Sequence, residues 1–360
     1  VSQLSILFIV PAPKGISPGQ RFRHEQYLSL LQRNGIAFRI NTFFEMKGWK
    51  TLYTRHHTIR KVYYVMLGLL KRFFTLFELR RYTHIYIYRE ATPVGLPFFE
   101  WAVSRIFKKK IIYDFDDAIW LPVTSEFNKR AAIFRNFSKV GSICRYSWKV
   151  SVGNRFLADY ANKYNPQTFI IPTVVDTESV HSLLQDQNTK RPAIGWTGSF
   201  STLTYLNIIL PVLSNLEKEY DFDFIVIADK DPQLPLKNYR FIKWSRENEA
   251  KDLLNFHIGV MPLYDDEISR GKCGFKAIQY MSLGIPALVS PVGVNTEIVE
   301  HGINGFVCNN TEEWQKHLEL LLSDAGLRMK MGQASRKTIV ERYSVKANEQ
   351  LFLDLFEINL

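Results

Sequence analysis

Short apolar runs alternate along the chain with longer stretches whose apolar positions recur every three or four residues. "LSILFIV" (4–10) gives way to the amphipathic "GQRFRHEQYLSLLQRNG", which stops at Gly35, and "AFRINTFF" (37–44) follows. "HIYIYR" (84–89), "KIIYDF" (110–115), "KVSVG" (149–153) and "FIIPTVV" (169–175) continue the alternation. Runs of this kind, rich in β-branched and aromatic residues, predict strands, and the periodic stretches between them predict crossover helices. Strand–helix alternation calls for parallel sheets rather than a sandwich or a helical bundle.

The polar "DTESVHSLLQDQNTKRP" (176–192) interrupts this rhythm and ends in proline, the composition of a linker. The cycle then restarts with "AIGWTGS" (193–199), "FDFIVIA" (222–228), "YRFIKW" (239–244), "IGVMPL" (258–263) and "PALVS" (286–290). The predicted fold class is α/β, with one doubly wound, Rossmann-like domain over 1–175, the linker, and a second over 193–341. Two such domains facing a cleft are the usual setting for a ligand. The closing stretch, 342–360, carries Leu351, Leu355 and Phe356 on one helical face.

Composition narrows the class. At 360 residues the chain exceeds the usual single domain, and 46% hydrophobic with 22% charged residues is that of a soluble globular protein. Cys144, Cys273 and Cys308 have no metal-ligand spacing and cannot all pair, which points to free thiols in a reducing cytoplasm. The opening apolar stretch lacks a basic leader and a cleavage site, so a first strand is expected there rather than a signal peptide. No apolar run reaches the length of a membrane span.

The net charge of +11 suits an anionic partner, and its placement matters more than its size. Arg60, Lys61, Lys71, Arg72, Arg80 and Arg81 bracket an apolar helical face of Leu67, Leu70, Phe74 and Phe77, the pattern of a helix lying on an anionic membrane surface. A helix packed on its own sheet is the competing reading, and no motif supports nucleic acid.

The most informative stretch is "KCGFKAIQYMSLGIPALVS" (272–290). Gly271 and Gly274 flank the start of a helix that Gly284 and Pro286 end near Leu283. Phe275, Ile278 and Met281 would pack on the sheet, while Lys276, Gln279 and Tyr280 share another face. A glycine loop opening a helix offers backbone N–H groups and the positive dipole end to an anion, and Arg270, Lys272 and Lys276 add charge there. The combination suits a diphosphate.

Residues 274–306 resemble the donor-site signature of retaining GT-B glycosyltransferases of family four, the glycosyl transferases group 1. The likeness rests on Met281-Ser-Leu-Gly284-Ile-Pro286 followed by Glu297-Ile-Val-Glu-His-Gly302-Ile-Asn304-Gly305-Phe306. The resemblance implies donor binding by Gly198, Ser199, Arg270, Lys272, Gly274, Phe275, Lys276 and Gln279, and a last helix that crosses back to the first domain. Two departures stand out. The family's glutamate pair falls on Gly271 and Gln279, and where a basic pair commonly follows the family's glycine, Gly198 is followed by Ser199 and Ser201, with no Arg or Lys until Lys218. Gln279 retains hydrogen-bonding capacity toward ribose hydroxyls, whereas Gly271 brings no side chain.

In the first half, "IIYDFDDAIW" (111–120) puts Asp114, Asp116 and Asp117 at a strand end, where open α/β sheets bind ligands. Aligned on the family's strand-end His-Asp pair, Asp116 and Asp117 become the candidate catalytic residues. Asp114-Phe-Asp116 also matches the metal motif of the other large glycosyltransferase fold, but that fold leaves 272–306 unexplained, so no obligatory metal or cofactor is expected. Gly19, Arg21 and Arg23, after the first strand, are candidates for a phosphate of acceptor or donor. The resulting expectation is transfer of a sugar from a nucleotide-diphosphate donor to a glycan or lipid-linked acceptor. A nucleotide-sugar epimerase and a donor-binding protein without transfer remain as alternatives.

Overall fold

The computed structural model describes residues 4–54, 57–122 and 136–358. The chain divides into two compact units, Val1–Pro172 with Glu349–Leu360, and Thr173–Asn348.

The first unit is built on six parallel strands: β1 (Ser5–Val10), β2 (Ala37–Thr42), β3 (His84–Tyr88), β4 (Lys110–Phe115), β5 (Lys149–Val152) and β6 (Thr168–Ile170). Their order across the sheet is β2-β1-β3-β4-β5-β6. The inner strands are apolar on both faces because helices cover both, as parallel sheets require. Register sets Ile6 beside His84 and Tyr88 beside Asp114, so the ends of β1, β3 and β4 emerge at one edge. The single helix expected after β1 is instead Pro18–Arg23, a 3-10 turn Glu25–Tyr27, and Leu28–Arg33, with Gly35 in the left-handed region. Near the break Arg23 turns inward and His24 stacks on Phe8, contacts an unbroken surface helix would not provide.

The chain's last segment belongs to this unit. Phe352, on the Glu349–Asp354 helix, stacks on Tyr27 with ring centroids 4.2 Å apart, and Lys149 Nζ donates to the Asp354 carbonyl at 2.8 Å. Leu355 and Phe356 are buried, while Leu351 is exposed.

The Thr58–Glu78 helix holds to the unit by its narrow polar side. Gly68, Arg72, Thr75 and Leu76 are buried, and Arg72 donates to the carbonyls of Ala91 and Val10 at 2.8 and 3.0 Å. Its Leu67, Leu70, Phe74 and Phe77 face outward.

The second unit has its own six parallel strands: β7 (Ala193–Gly198), β8 (Asp223–Ala228), β9 (Tyr239–Lys243), β10 (Ile258–Met261), β11 (Ala287–Val289) and β12 (Gly305–Val307). The order β12-β11-β10-β7-β8-β9 is the doubly wound Rossmann order, reversing direction between β7 and β10. Its core gathers Trp196, Leu213, Val226, Val260, Leu288 and Trp314. β12 begins at the last glycine of the Gly-Ile-Asn-Gly motif, where no strand was expected. Three residues are too few for a periodic signal.

Residues 176–192, expected as a linker, are held to the second unit by backbone acceptors. Arg336 donates to the carbonyls of His181 and Thr177 at 2.6 and 2.8 Å, and Arg328 to those of Gln187 and Thr189 at 3.2 and 3.1 Å. The segment is docked through its backbone carbonyls, which any side chain leaves available. It is not free chain.

Candidate functional site

In the second unit the candidate residues collect where the strand order reverses. Gly198 and Ser199 leave the carboxyl end of β7, and the chain after β10 runs through Asp265, Arg270 and Lys272 to Gly274. Asp266 caps the short Glu267–Arg270 helix by accepting from Ser269 N at 2.7 Å. Arg270 makes a two-pronged pair with Asp265, at 2.7 and 2.9 Å.

Gly274 precedes the Phe275–Ser282 helix with φ +66°, a conformation that disfavours any side chain, and an added Cβ would come within 2.2 Å of Ile298 Cδ1. The turn can take this tight form only as glycine. Its carbonyl accepts from Ile278 N at 3.1 Å, which starts the helix, and the first-turn N–H groups point along the axis beyond the helix start.

The faces of this helix differ from the sequence expectation. Ile278 and Met281 are buried as expected, but so are Gln279 and Tyr280, because the helix packs on the sheet and on the Ala325–Arg342 helix as well. Tyr280 is structural: its hydroxyl accepts from Thr197 N at 2.9 Å, and its ring lies where a side chain at Gly259 would be. Phe275 and Lys276 are partly exposed.

Lys276 Nζ sits 5.0 Å from the centre of the Trp196 ring, and Lys272 Nζ 5.8 Å from that of Tyr205. Although Lys276 is partly exposed, desolvation of its ammonium, reinforced by the Lys272 charge, lowers its pKa to about 7. Among the described residues no carboxylate pairs with Lys276, and Gln279 Nε2 is buried without a hydrogen-bond partner. An amine without a carboxylate partner among the described residues and an unanswered amide, both on the helix that Gly274 opens, make a place for an anionic, hydroxyl-bearing ligand.

Gly198 has a packing reason of its own, since a Cβ there would meet the Trp196 ring at 2.6 Å and Thr202 Oγ1 at 2.9 Å. Ser199 is exposed, with its hydroxyl 2.9 Å from that of Ser201. Phe200 N donates to Asp229 Oδ1 at 2.6 Å, fixing the turn after β7.

In the first unit the ends of β1, β3 and β4 bring together Gly19, Tyr88, Arg89 and Asp116. The loop after β1 is clamped by side chains: Gln20 exchanges hydrogen bonds with the backbone of Ala12 at 2.8 and 3.1 Å, and Glu25 accepts from Gly15 N at 2.8 Å. Gly19 is thereby pressed so close that a Cβ would lie 2.0 Å from the Tyr88 hydroxyl and 2.9 Å from Asp116 Oδ2. Asp116 Oδ1 accepts from Tyr88 OH at 2.7 Å and from Arg89 Nε and Nη2 at 3.0 and 2.8 Å. Burial works to raise this carboxyl, but the Arg89 and Arg23 charges and those hydrogen bonds outweigh it and hold it below the ordinary range. Asp116 is therefore a fixed carboxylate. Asp117 is more exposed, 3.7 Å from Arg89 Nη2.

Arg23 requires a correction. Although expected at the surface for a phosphate, it is buried and paired with Asp114, which also accepts from Ser151 Oγ at 2.7 Å. Its guanidinium also bonds the Ile171 carbonyl, so it ties β4 and β6 to the first helix. Arg21 is partly exposed, with its guanidinium 4.7 Å from the Phe22 ring centre.

Sequence reasoning missed Tyr88, Arg89 and Trp196, which contact the candidate residues Asp116 and Lys276. The signal for Arg89 was partial: it ends an apolar strand run, and only the pairing of β3 with β4 sets it beside the aspartates. Arg89 also holds φ +60°, rare for a residue with a side chain and often found at functional positions. Among the described residues no group of three or more His, Cys, Asp or Glu is placed to hold a metal ion.

Residues 229–338 match the family model described as glycosyl transferases group 1. No curated protein matches the chain by sequence. Over its whole length the chain is similar in structure to sucrose-phosphate synthase from Thermosynechococcus elongatus, with a TM-score of 0.70 and 14% identity over 98% of this chain and 99% of that one. A glycosyltransferase from Rickettsia africae superposes with a TM-score of 0.71 and 13% identity over 100% of both chains. HepE from Anabaena, solved in complex with UDP, gives 0.65 and 15% over 98% of this chain and 99% of that one. At such identities the likeness establishes the fold, two Rossmann-like α/β domains of the GT-B glycosyltransferase type.

Proposed function

We propose that this chain transfers a sugar from a nucleotide-diphosphate donor to a glycan or lipid-linked acceptor with retention of anomeric configuration, as in cell-surface polysaccharide biosynthesis. The second unit takes the donor and the first takes the acceptor. One observation carries the reading: the family match over 229–338 falls on the glycine-opened helix, at the switch point of a Rossmann sheet, beside a lysine with no carboxylate partner among the described residues. HepE, of the same fold, holds UDP, which supports a nucleoside diphosphate here.

In this reading the helix start at Gly274 and the charges of Lys272 and Lys276 hold the diphosphate and stabilise it as it departs. Arg270 contributes at the rim. The Gln279 amide takes a ribose hydroxyl, while Gly198, Ser199 and Phe275 shape the approach. Asp116, held rigid by Tyr88 and Arg89, orients the sugar or the acceptor hydroxyl, with Asp117 beside it. Gly19 and Arg21 line that end. Rate enhancement then comes from positioning and from electrostatics, with no metal step. Cys144, Cys273 and Cys308 are buried and none is in a disulfide, which supports a reducing compartment.

The test is a thermal-shift and calorimetric titration against a panel of nucleotide sugars and free nucleotides, with Lys272→Ala and Gln279→Ala as controls. A ligand at 100 times its dissociation constant adds about 2.7 kcal/mol to the wild type. The bound donor is then offered acceptors and the product's anomeric configuration read by NMR. Failure of every nucleotide to stabilise the protein overturns the reading. Binding without any glycoside product leaves a donor-binding protein, the outcome that a side-chain-free Gly271 favours.

A further inference from the structure

The Thr58–Glu78 helix is apolar on the wrong side for a globular protein. Ile59, Val62, Tyr63, Met66, Leu67, Leu70, Phe73, Phe74 and Phe77 are all exposed, with Ile59 87%, Phe74 64% and Phe77 66% accessible. At about 100° per residue they fall within one arc of roughly 140°, and from Ile59 to Phe77 the stripe runs about 27 Å. Scattered surface apolar residues need no explanation, but a continuous stripe of this size marks an interaction surface. The Phe98–Trp101 helix packs beside it and exposes Phe98 and Trp101, an aromatic type favoured at membrane–water interfaces.

Charge identifies the occupant. Between residues 58 and 81 there are six cations, Arg60, Lys61, Lys71, Arg72, Arg80 and Arg81, and one acid, Glu78. Glu78 is paired with Arg39 at 2.7 Å, and Lys71 with Glu45 at 2.5 Å. Arg60 lies exposed near one end of the stripe, and Arg80 and Arg81 at the other. A second copy docked antiparallel would set Arg60 of one against Arg80 and Arg81 of the other, like charge on like. A bilayer with anionic headgroups instead accepts the apolar arc into its interface and the arginines at its phosphates.

We propose that the Thr58–Glu78 helix lies flat on an anionic membrane surface and seats the first unit there by its apolar arc. It does not cross. The opposite side holds buried Arg72, bound to the carbonyls of Ala91 and Val10, and among the described residues no helix is long and apolar enough to span a bilayer. Docking of this kind would bring a lipid-linked acceptor to the protein's surface. The inference rests on the helix alone and stands apart from the sugar-transfer reading.

Flotation of the full chain with phosphatidylcholine vesicles, with and without about one third phosphatidylglycerol, tests it. Wild type floats with the anionic vesicles and is released by high salt, and Phe74→Ser with Phe77→Ser lowers the bound fraction about tenfold at an unchanged melting temperature. Arg80→Glu with Arg81→Glu reduces binding to anionic vesicles while sparing the weak binding to neutral ones. Equal flotation of wild type and the double Phe variant overturns the proposal. So does a light-scattering dimer that the Phe variant dissociates without any vesicle binding by wild type. Because the readout is lipid binding, failure here leaves the nucleotide titration unaffected.

Discussion

The two units carry charge at their strand ends in opposite ways. In the first, the carboxylates are answered from within: Asp114 by Arg23 and Ser151, Asp116 by Tyr88 and Arg89. In the second, Lys276 leans on a tryptophan ring and Gln279 keeps a buried amide with nothing to donate to. Satisfied groups in a folded protein hold geometry. Groups left costly and unanswered are where a ligand repays the cost. In the proposed reading the contrast fits a positioning task for Asp116 and a binding task for the second unit's helix start.

The largest expected effect comes from breaking the satisfied side. Arg23→Met leaves the buried Asp114 carboxyl without its arginine, a change that typically costs about 3–5 kcal/mol. Urea unfolding should show that loss. Asp116→Asn should cost far less stability, because it keeps the shape of a partly open group, yet should abolish transfer. If both variants lose the same stability, the division between a structural pair and a functional carboxylate fails.

Acid sharpens the same side. His24, stacked on Phe8 and fully buried, is pushed by desolvation down to about 4. An unfolded chain binds that proton near 6.5, so between 6.5 and about 4 the unfolded state holds more protons and stability falls with pH, by up to about 1.4 kcal/mol per unit from this residue. His84 and His257, also lowered to about 4, act in the same direction. His24→Phe should flatten the melting-temperature profile over that window, and an unchanged slope would show that the ring is not held neutral.

On the binding side, Gly274→Val forces a β-branched residue to φ +66° against Ile298. Backbone strain of this kind costs about 1–3 kcal/mol, and the helix start shifts with it. Calorimetry should show nucleotide binding lost at a temperature where the variant is still folded.

How far the sequence reached follows from the range of the forces involved. The succession of strands and crossover helices along the chain was legible because it rests on local periodicity, and the Gly274 turn because a left-handed backbone demands glycine. What escaped is long-range. Arg23 and Asp114 are 91 positions apart, and only the sheet register brings them into contact. Tyr280 shared a helical face with Lys276 on a wheel, but a second packing partner buried it. The apolar arc of residues 59–77 was legible as a stripe. Its direction was not, since only the buried Arg72 and its carbonyl acceptors tell which side the unit holds.

The finest test of the contrast is protonic. Lys276, lowered to about 7, is far below the 10.4 of an unfolded lysine. Between those values the unfolded state binds the extra proton, so this residue makes stability rise with pH from about 7 upward, and its charged form strains the fold below 7. An anionic diphosphate reverses the balance, because it favours the ammonium. Donor affinity should therefore be highest below pH 7 and weaken toward pH 9, with proton uptake on binding at pH 8 visible in buffers of different ionisation enthalpy. Lys276→Met should remove both trends, leave the fold at least as stable at pH 6, and weaken the donor about tenfold, or 1.4 kcal/mol. Affinity that ignores pH in the wild type would mean that this amine does not meet the phosphates, and the unanswered charge of the second unit would need another partner.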